Sequence, residues 1–185
     1  MLEQSQDPRV LVVDDEQRVA ETYRLRLEDD YDVEVATSGK EALEVVDHEH
    51  DVVLLDRRMP GVTGDEVLAE LNSRDIDAQI VMVTAVEPDP SVVELQCTDY
   101  VVKPVENPEL SEVVERALAL REYSDRRQEL GTKKLKRNVL EVELSEYELE
   151  ESEQYHELNA EIERLEREVD SLEADLGLEN VDRFV

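Results

Sequence analysis

Short apolar runs alternate with longer amphipathic stretches over the first two thirds of the chain. The apolar runs predict strands at 9–13, 32–36, 51–55, 79–83 and 99–102. The intervening apolar positions have helical spacing, which predicts helices over about 17–29, after a cap at Thr37 or Ser38, after the loop 61–64, over 91–96 and from Asn107 to about Arg121. This alternation predicts an α/β fold with a parallel sheet, right-handed crossovers and helices on both faces.

The pattern changes after Tyr123, where charged residues become very frequent. Apolar residues recur there in steps of four and three, at Leu158, Ile162, Leu165, Val169, Leu172 and Leu176. Glutamates flank this seam, so a parallel pair of chains would set Glu against Glu. We therefore favour an antiparallel helical hairpin over a parallel coiled coil. A turn near residue 152 would lay the basic run 133–137 beside 167–173.

Composition and charge narrow the class of protein. The 185 residues contain 50 acidic and 20 basic side chains, a formal charge of −30 that opposes binding to nucleic acid and suits strong salt. Cys97 is the only cysteine, which excludes an intramolecular disulfide. No apolar run is long enough for a membrane span and the first residues are polar, so we expect a soluble cytoplasmic protein. The three histidines are scattered, and we expect them at the surface.

Polar side chains follow four of the predicted strands at the point where each strand ends. Asp14 and Asp15 follow the first strand, and Asp56 follows the third. Thr84 and Lys103 follow the fourth and the fifth. Because the carboxyl ends of parallel strands meet at one edge, where open α/β sheets bind ligands, we expect these groups in one crevice.

The chemistry of this set favours a divalent cation and phosphate. Three close carboxylates repel one another and need a cation, and Mg²⁺ prefers oxygen ligands such as Asp15 and Asp56, with Asp14 holding a bound water. A carboxylate can also attack phosphorus and form an acyl phosphate. Lys103 and Thr84 would supply the ammonium and the hydrogen-bond donor that phosphoryl transfer requires.

Four motifs together carry a family resemblance. They are VVDDE at 12–16, LLDRRMPG at 54–61, TA at 84–85 and YVVKP at 100–104. Over residues 8–122 the chain resembles the receiver domain of two-component response regulators. The resemblance implies a flavodoxin-like, doubly wound five-stranded sheet of order 2-1-3-4-5, and phosphorylation of Asp56 by a histidine kinase.

The resemblance also implies roles for individual residues. The implied magnesium site lies at the pair Asp14 and Asp15, with Asp15, Asp56 and the backbone carbonyl of Arg58 as ligands. Lys103 would pair with the phosphate, Thr84 would hydrogen bond to it, Tyr100 would be the aromatic switch that turns inward, and Pro104 would follow a cis peptide bond. Such a domain has no enzymatic activity beyond its own phosphotransfer and dephosphorylation.

The chain departs from the receiver pattern in one respect and continues into a second domain. Thr84 and Lys103 are closer in sequence than in most receivers, and the missing residues fall beside Pro88 and Pro90, at the family's fourth helix. That helix belongs to the usual output face of the family, which places a standard dimer through this face in doubt. Residues 123–185 resemble the HalX-type domain of halophilic archaea, so we expect a receiver over 1–122 and an acidic helical domain over 123–185.

Two alternative functions stay open on the sequence. A phosphohydrolase of the haloacid dehalogenase type also uses an Asp nucleophile and Mg²⁺, but its D-x-D pattern differs from the adjacent pair here. A transcription regulator could contact DNA through 133–137. The tail has nine basic and nineteen acidic residues and lacks a helix-turn-helix pattern, so interaction with protein, including a homodimer through the helical tail, is favoured over direct DNA binding.

Overall fold

The structure is a computed structural model that describes residues 7–74, 76–85 and 97–178. Its elements are β1 (Arg9–Val13), α1 (Gln17–Leu27), β2 (Asp32–Ala36), α2 (Gly39–Val45), β3 (Val52–Leu55), α3 (Gly64–Ser73), β4 (Gln79–Thr84), β5 (Asp99–Val102), α4 (Asn107–Glu143), α5 (Glu146–Glu150) and α6 (Glu153–Asp175). The five predicted strands are therefore confirmed. The helix predicted over 91–96, together with Pro88 and Pro90, lies outside the described residues.

The five strands form one parallel sheet. Their order is β2-β1-β3-β4-β5, as the resemblance implied. All four residues of β3 are buried, which explains their uninterrupted apolar sequence, because a central parallel strand is covered on both faces. The carboxyl ends of β1, β3, β4 and β5 consequently lie along one edge.

Each face of the sheet has its own apolar core. On one face, Val12 and Leu54 pack in a cluster with Leu27 of α1 and Leu110 of α4. On the other face, alternate strand residues pack with α2 and α3, including Leu71. Burial of such a side chain contributes about 1.5–3 kcal/mol. The two clusters make this a doubly wound sheet and fix the positions at which its strands end.

Caps fix where the two helices on the second face begin. The hydroxyl of Ser38 accepts a hydrogen bond from the Glu41 N–H at the start of α2. At the start of α3, Thr63 and Glu66 form a reciprocal capping box. Such caps satisfy backbone N–H groups that the helix leaves unpaired. Thr63 thereby ends the loop that begins after β3.

His50 is buried, so the expectation of a surface position is wrong for this histidine. Its side chain has no exposed surface. Its Nδ1 lies 3.0 Å from Asp47 Oδ1, and its Nε2 lies 3.3 Å from Glu34 Oε2. Placed among charged and polar residues in sequence, His50 gives no local sign of burial, and its contact with Glu34 of β2 comes from a distant part of the sequence.

The C-terminal residues form a separate helical unit. Contacts divide the chain into units 1–118 and 119–185. Helix α4 does not end near Arg121 but continues to Glu143, since the charged residues after Tyr123 are good helix formers. Within the second unit, α6 runs antiparallel to α4, with Lys133 2.6 Å from Glu161 and Arg126 3.4 Å from Glu168. The favoured hairpin is therefore present.

The hairpin turns earlier than predicted. The basic run lies beside Glu161 and Glu166, not beside residues 167–173. The reason is a second helix start, because Ser145 caps α5 in a capping box with Glu148 and so interrupts the long helix after Glu143. The predicted seam is the covered side of α6, where Ile162, Leu165 and Val169 are buried.

No helix in the described part of the chain is both long enough and apolar enough to span a bilayer.

Candidate functional site

Asp56 stands at the centre of the candidate site. It follows β3 directly, and its backbone N–H donates to the carbonyl of Val13 at the end of β1. Only 8% of the residue is exposed. The neighbouring strand thus fixes its backbone while its carboxylate remains within reach of a small ligand.

Two further carboxylates lie beside Asp56. Asp14 and Asp15 follow β1, where Asp14 is buried and Asp15 is exposed. One oxygen from each of the three residues lies within 4.8 Å of the others. Asp14 Oδ1 also accepts a hydrogen bond from the Glu16 N–H at 2.9 Å, which orients it. Three hard oxygen donors on this scale suit Mg²⁺.

Lys103 connects two of these carboxylates. Its Nζ lies 2.5 Å from Asp14 Oδ2 and 3.1 Å from Asp56 Oδ2. Burial lowers the pKa of Lys103, but the hydrogen bond to Asp14 and the two negative charges outweigh it and raise the pKa overall. Burial raises the pKa of Asp14, which the hydrogen bond from Lys103 opposes. The ammonium therefore stays charged and holds the acidic groups together.

Thr84 occupies the carboxyl end of β4, next to the end of β5. It is fully buried, and its backbone carbonyl accepts a hydrogen bond from the Lys103 N–H at 2.8 Å. The ladder between β4 and β5 pairs Thr84 with Val102. The hydroxyl-bearing residue is thereby fixed one strand away from Asp56.

Sequence reasoning missed an arginine that links Tyr100 to the loop after β3. Arg57 Nε donates to both carboxylate oxygens of Asp65, at 3.0 and 3.2 Å. Its guanidinium also hydrogen bonds to Tyr100, which raises the pKa of Arg57. Tyr100 is half-buried against the α2–α3 face of the sheet. The neighbour of Asp56 in sequence thus contacts the aromatic residue of β5.

Comparison with known proteins gives the family. The sequence model of the response regulator receiver domain matches residues 10–115, more than half of the chain. The chain belongs to the response regulator receiver domain family. A second model, that of the HalX domain, matches residues 119–185.

Relatives and solved structures agree with this assignment of the receiver domain. A putative transcriptional regulator of Haloferax volcanii is 51% identical over 110 residues, which are 59% of this chain and 19% of that protein. The CheY-like receiver domain of Methanospirillum hungatei JF-1 is 27% identical with a TM-score of 0.59, covering 62% of this chain and 96% of that one. The response regulator TrrA of Thermotoga maritima, solved with Mg(2+)-BeF, is 36% identical with a TM-score of 0.54, covering 60% and 99%.

The curated relatives match only part of the chain, and the chain in turn spans only part of them. It covers between 19% and 55% of the length of three curated relatives, all regulatory proteins by name. The similarity therefore concerns the receiver domain.

The loops of the receiver domain hold the other residues that the resemblance named. The Arg58 N–H donates to Asp56 Oδ1 at 3.3 Å, within the loop that follows β3. The peptide bond between Lys103 and Pro104 is cis. Gly64 allows the start of α3 to lie against the backbone of Asp56, because a Cβ there would lie 2.2 Å from the Asp56 carbonyl oxygen. Asp14, Asp15, Asp56 and Lys103 meet directly, while Tyr100 contacts Arg57.

Proposed function

We propose that the chain is a phospho-accepting switch of a two-component system, in which Asp56 takes a phosphoryl group from a histidine kinase. The observation that supports this most is the single ammonium of Lys103 shared by Asp14 and Asp56. A carboxylate at the open edge of a parallel sheet, with a lysine ammonium beside it, is an available nucleophile.

The proposed transfer needs little covalent chemistry from the protein. An oxygen of Asp56 forms a bond to phosphorus as the bond from phosphorus to the kinase histidine breaks, so the imidazole leaves with the electron pair. Asp15, Asp56 and the Arg58 carbonyl would hold Mg²⁺, with Asp14 at a bound water. The ion would neutralise negative charge on the phosphoryl oxygens. The donor set fits, since the carboxylates converge within 4.8 Å.

We propose that the remaining site residues respond to the new phosphate. Lys103 would leave Asp56 and form an ion pair with a phosphoryl oxygen. The hydroxyl of Thr84 would donate a hydrogen bond to the phosphoryl group. Tyr100, which lies opposite Met82 on the β4–β5 ladder, two residues before Thr84, would follow Thr84 and leave Arg57. A switch of this kind requires two states whose populations the phosphate shifts.

We propose that the tail, residues 123–185, transmits the output by binding other protein molecules. The receiver that precedes it is taken as residues 1–122. Direct DNA binding through 133–137 is disfavoured because Lys133 and Lys134 already pair with Glu161 and Glu166. Arg137 lies 3.7 Å from Glu141. A basic run neutralised by its own hairpin has little charge left for DNA phosphates.

Labelling by a small phosphodonor tests the proposal. We expect radiolabelled acetyl phosphate with Mg²⁺ to label the chain, and Asp56→Asn to abolish the label, because an amide oxygen is a poor nucleophile. Asp29→Asn, at an exposed position after α1, is the matched control and should label normally. Chelation of Mg²⁺ should reduce labelling of the wild type as well.

The same protein samples distinguish a phospho-accepting switch from a phosphohydrolase. Full label on Asp56→Asn would refute the proposal. Multiple turnover of a small phosphate ester would support a phosphohydrolase instead, and we expect none.

A further inference from the structure

One face of α4 within the second unit is free of charge. Its residues recur in steps of four and three, at Gln128, Thr132, Leu135, Val139 and Val142. The three apolar members are exposed, by 65%, 54% and 82% in order along the helix. In a chain with 38% charged residues, an exposed apolar seam of this spacing is typical of a helix that packs against another helix.

This seam is not covered by the hairpin. Arg126, Lys133 and Lys134 form the ion pairs with α6, so they mark the side of α4 that faces it. Leu135 and Val139 lie beside this side rather than on it, because they line an open groove together with Leu158 of α6, and both remain more than half exposed. The second helix of the unit therefore leaves the seam accessible.

Charges beside the seam indicate what covers it. Lys136 stands on the N-terminal side of Val139 and Glu143 on the C-terminal side, while Lys133, Lys134 and Arg137 are paired within the chain. An antiparallel copy of the same helix would set Lys136 of each copy near Glu143 of its partner, and would do so twice. A parallel copy would set like against like, as would an acidic partner against 141–151.

We propose that this face binds a second copy of the chain, with the two α4 helices antiparallel and a two-fold axis at Val139. In that register Leu135 of one copy lies beside Val142 of the other, because the two are nearly equidistant from Val139. Lys136 then lies beside Glu143 of the second copy. Both are exposed, and neither forms an ion pair with a described residue of its own chain.

Sedimentation equilibrium of the full chain tests the interface. We expect a reversible dimer of the 21.3 kDa chain in about 1 M KCl, where the Debye length of about 3 Å screens the repulsion between distant charges. Val139→Glu should weaken the dimer about a hundredfold, since it places two charges together on the axis. Leu25→Glu, at a 56% exposed leucine of α1, is the matched control and should leave the dimer intact.

Charge reversal tests the register. Lys136→Glu and Glu143→Lys should each weaken the dimer about tenfold, because symmetry repeats each pair. The double variant should regain most of the lost affinity. A wild type that stays monomeric at every concentration, or a double variant no tighter than the single variants, would overturn the proposal. So would a monomer that binds duplex DNA through this face.

Discussion

Lys103 holds together two carboxylates that would otherwise repel each other. Its side chain is 14% exposed, and those of Asp14 and Asp56 are 2% and 9% exposed. Without the ammonium, two buried negative charges would face each other with no partner of opposite sign among their contacts described above. Single removal of one member from a buried ionic group is costly, because the others lose their compensation.

Replacing this lysine should therefore cost stability that a cation can restore. We expect Lys103→Met to lower the free energy of unfolding by about 3 kcal/mol in the presence of a chelator. Mg²⁺ should stabilise this variant more than the wild type, since it replaces the missing positive charge. Urea unfolding measures both effects. Lys40→Met, at an 80% exposed side chain, is the control and should change little; equal stability of the two variants would contradict the argument.

At the scale of elements, we expect the buried side of α6 to contribute most of the stability of the second unit. Ile162 and Leu165 are almost completely buried, whereas the side chains of the cross-helix ion pairs are partly exposed, by 21–48%. Exposed pairs contribute little because water and salt screen them. Apolar packing, rather than charge, is therefore expected to hold the hairpin closed.

Truncation of the seam tests this order of importance. We expect Ile162→Ala to cost about 3 kcal/mol, from lost burial and the cavity that remains. Glu163→Ala, the exposed neighbour on the same helix, should cost nothing, because alanine is the better helix former. Circular dichroism during urea unfolding reports both. If the two variants unfold alike, the hairpin does not depend on its apolar side.

Hydrophobic periodicity was sufficient to predict the strands and helices of the receiver domain. It was insufficient to predict where the last of these helices ends and which side chains of different elements contact each other. The run 52–55 and the cap at Ser38 are local signals, so the positions of β3 and α2 followed from them. The continuation of α4 beyond Arg121 did not follow from local signals, because no helix-breaking residue near Arg121 shows whether the helix ends there or continues. The contact of Arg57 with Tyr100 joins the loop after β3 to β5, and no spacing rule predicts it.

Charge dominates the behaviour of the whole molecule. The net charge of −30 on 185 residues destabilises a compact state through self-repulsion. Added salt screens this repulsion over a Debye length of about 8 Å at physiological strength and about 3 Å at 1 M. Stability is therefore tied to the ionic strength of the medium.

A salt series should show that dependence directly. We expect the thermal midpoint of unfolding to rise steadily from low salt to strong KCl, because repulsion is relieved in the native state. NaCl at equal ionic strength should give the same rise, since screening does not distinguish the two cations. A flat profile would contradict the prediction, and a marked difference between the salts would indicate specific ion binding instead.

The uninterrupted course of α4 has a consequence for anyone who wishes to dissect the protein. A gene fragment ending at residue 122 would stop in mid-helix and strip its last carbonyls of the amides that pair with them. The fragment starting at 123 would keep those amides but lose the carbonyls that accept hydrogen bonds from them. Fragments divided after Glu143, or fragments given a helix-capping residue at the cut, would avoid these unpaired helix ends.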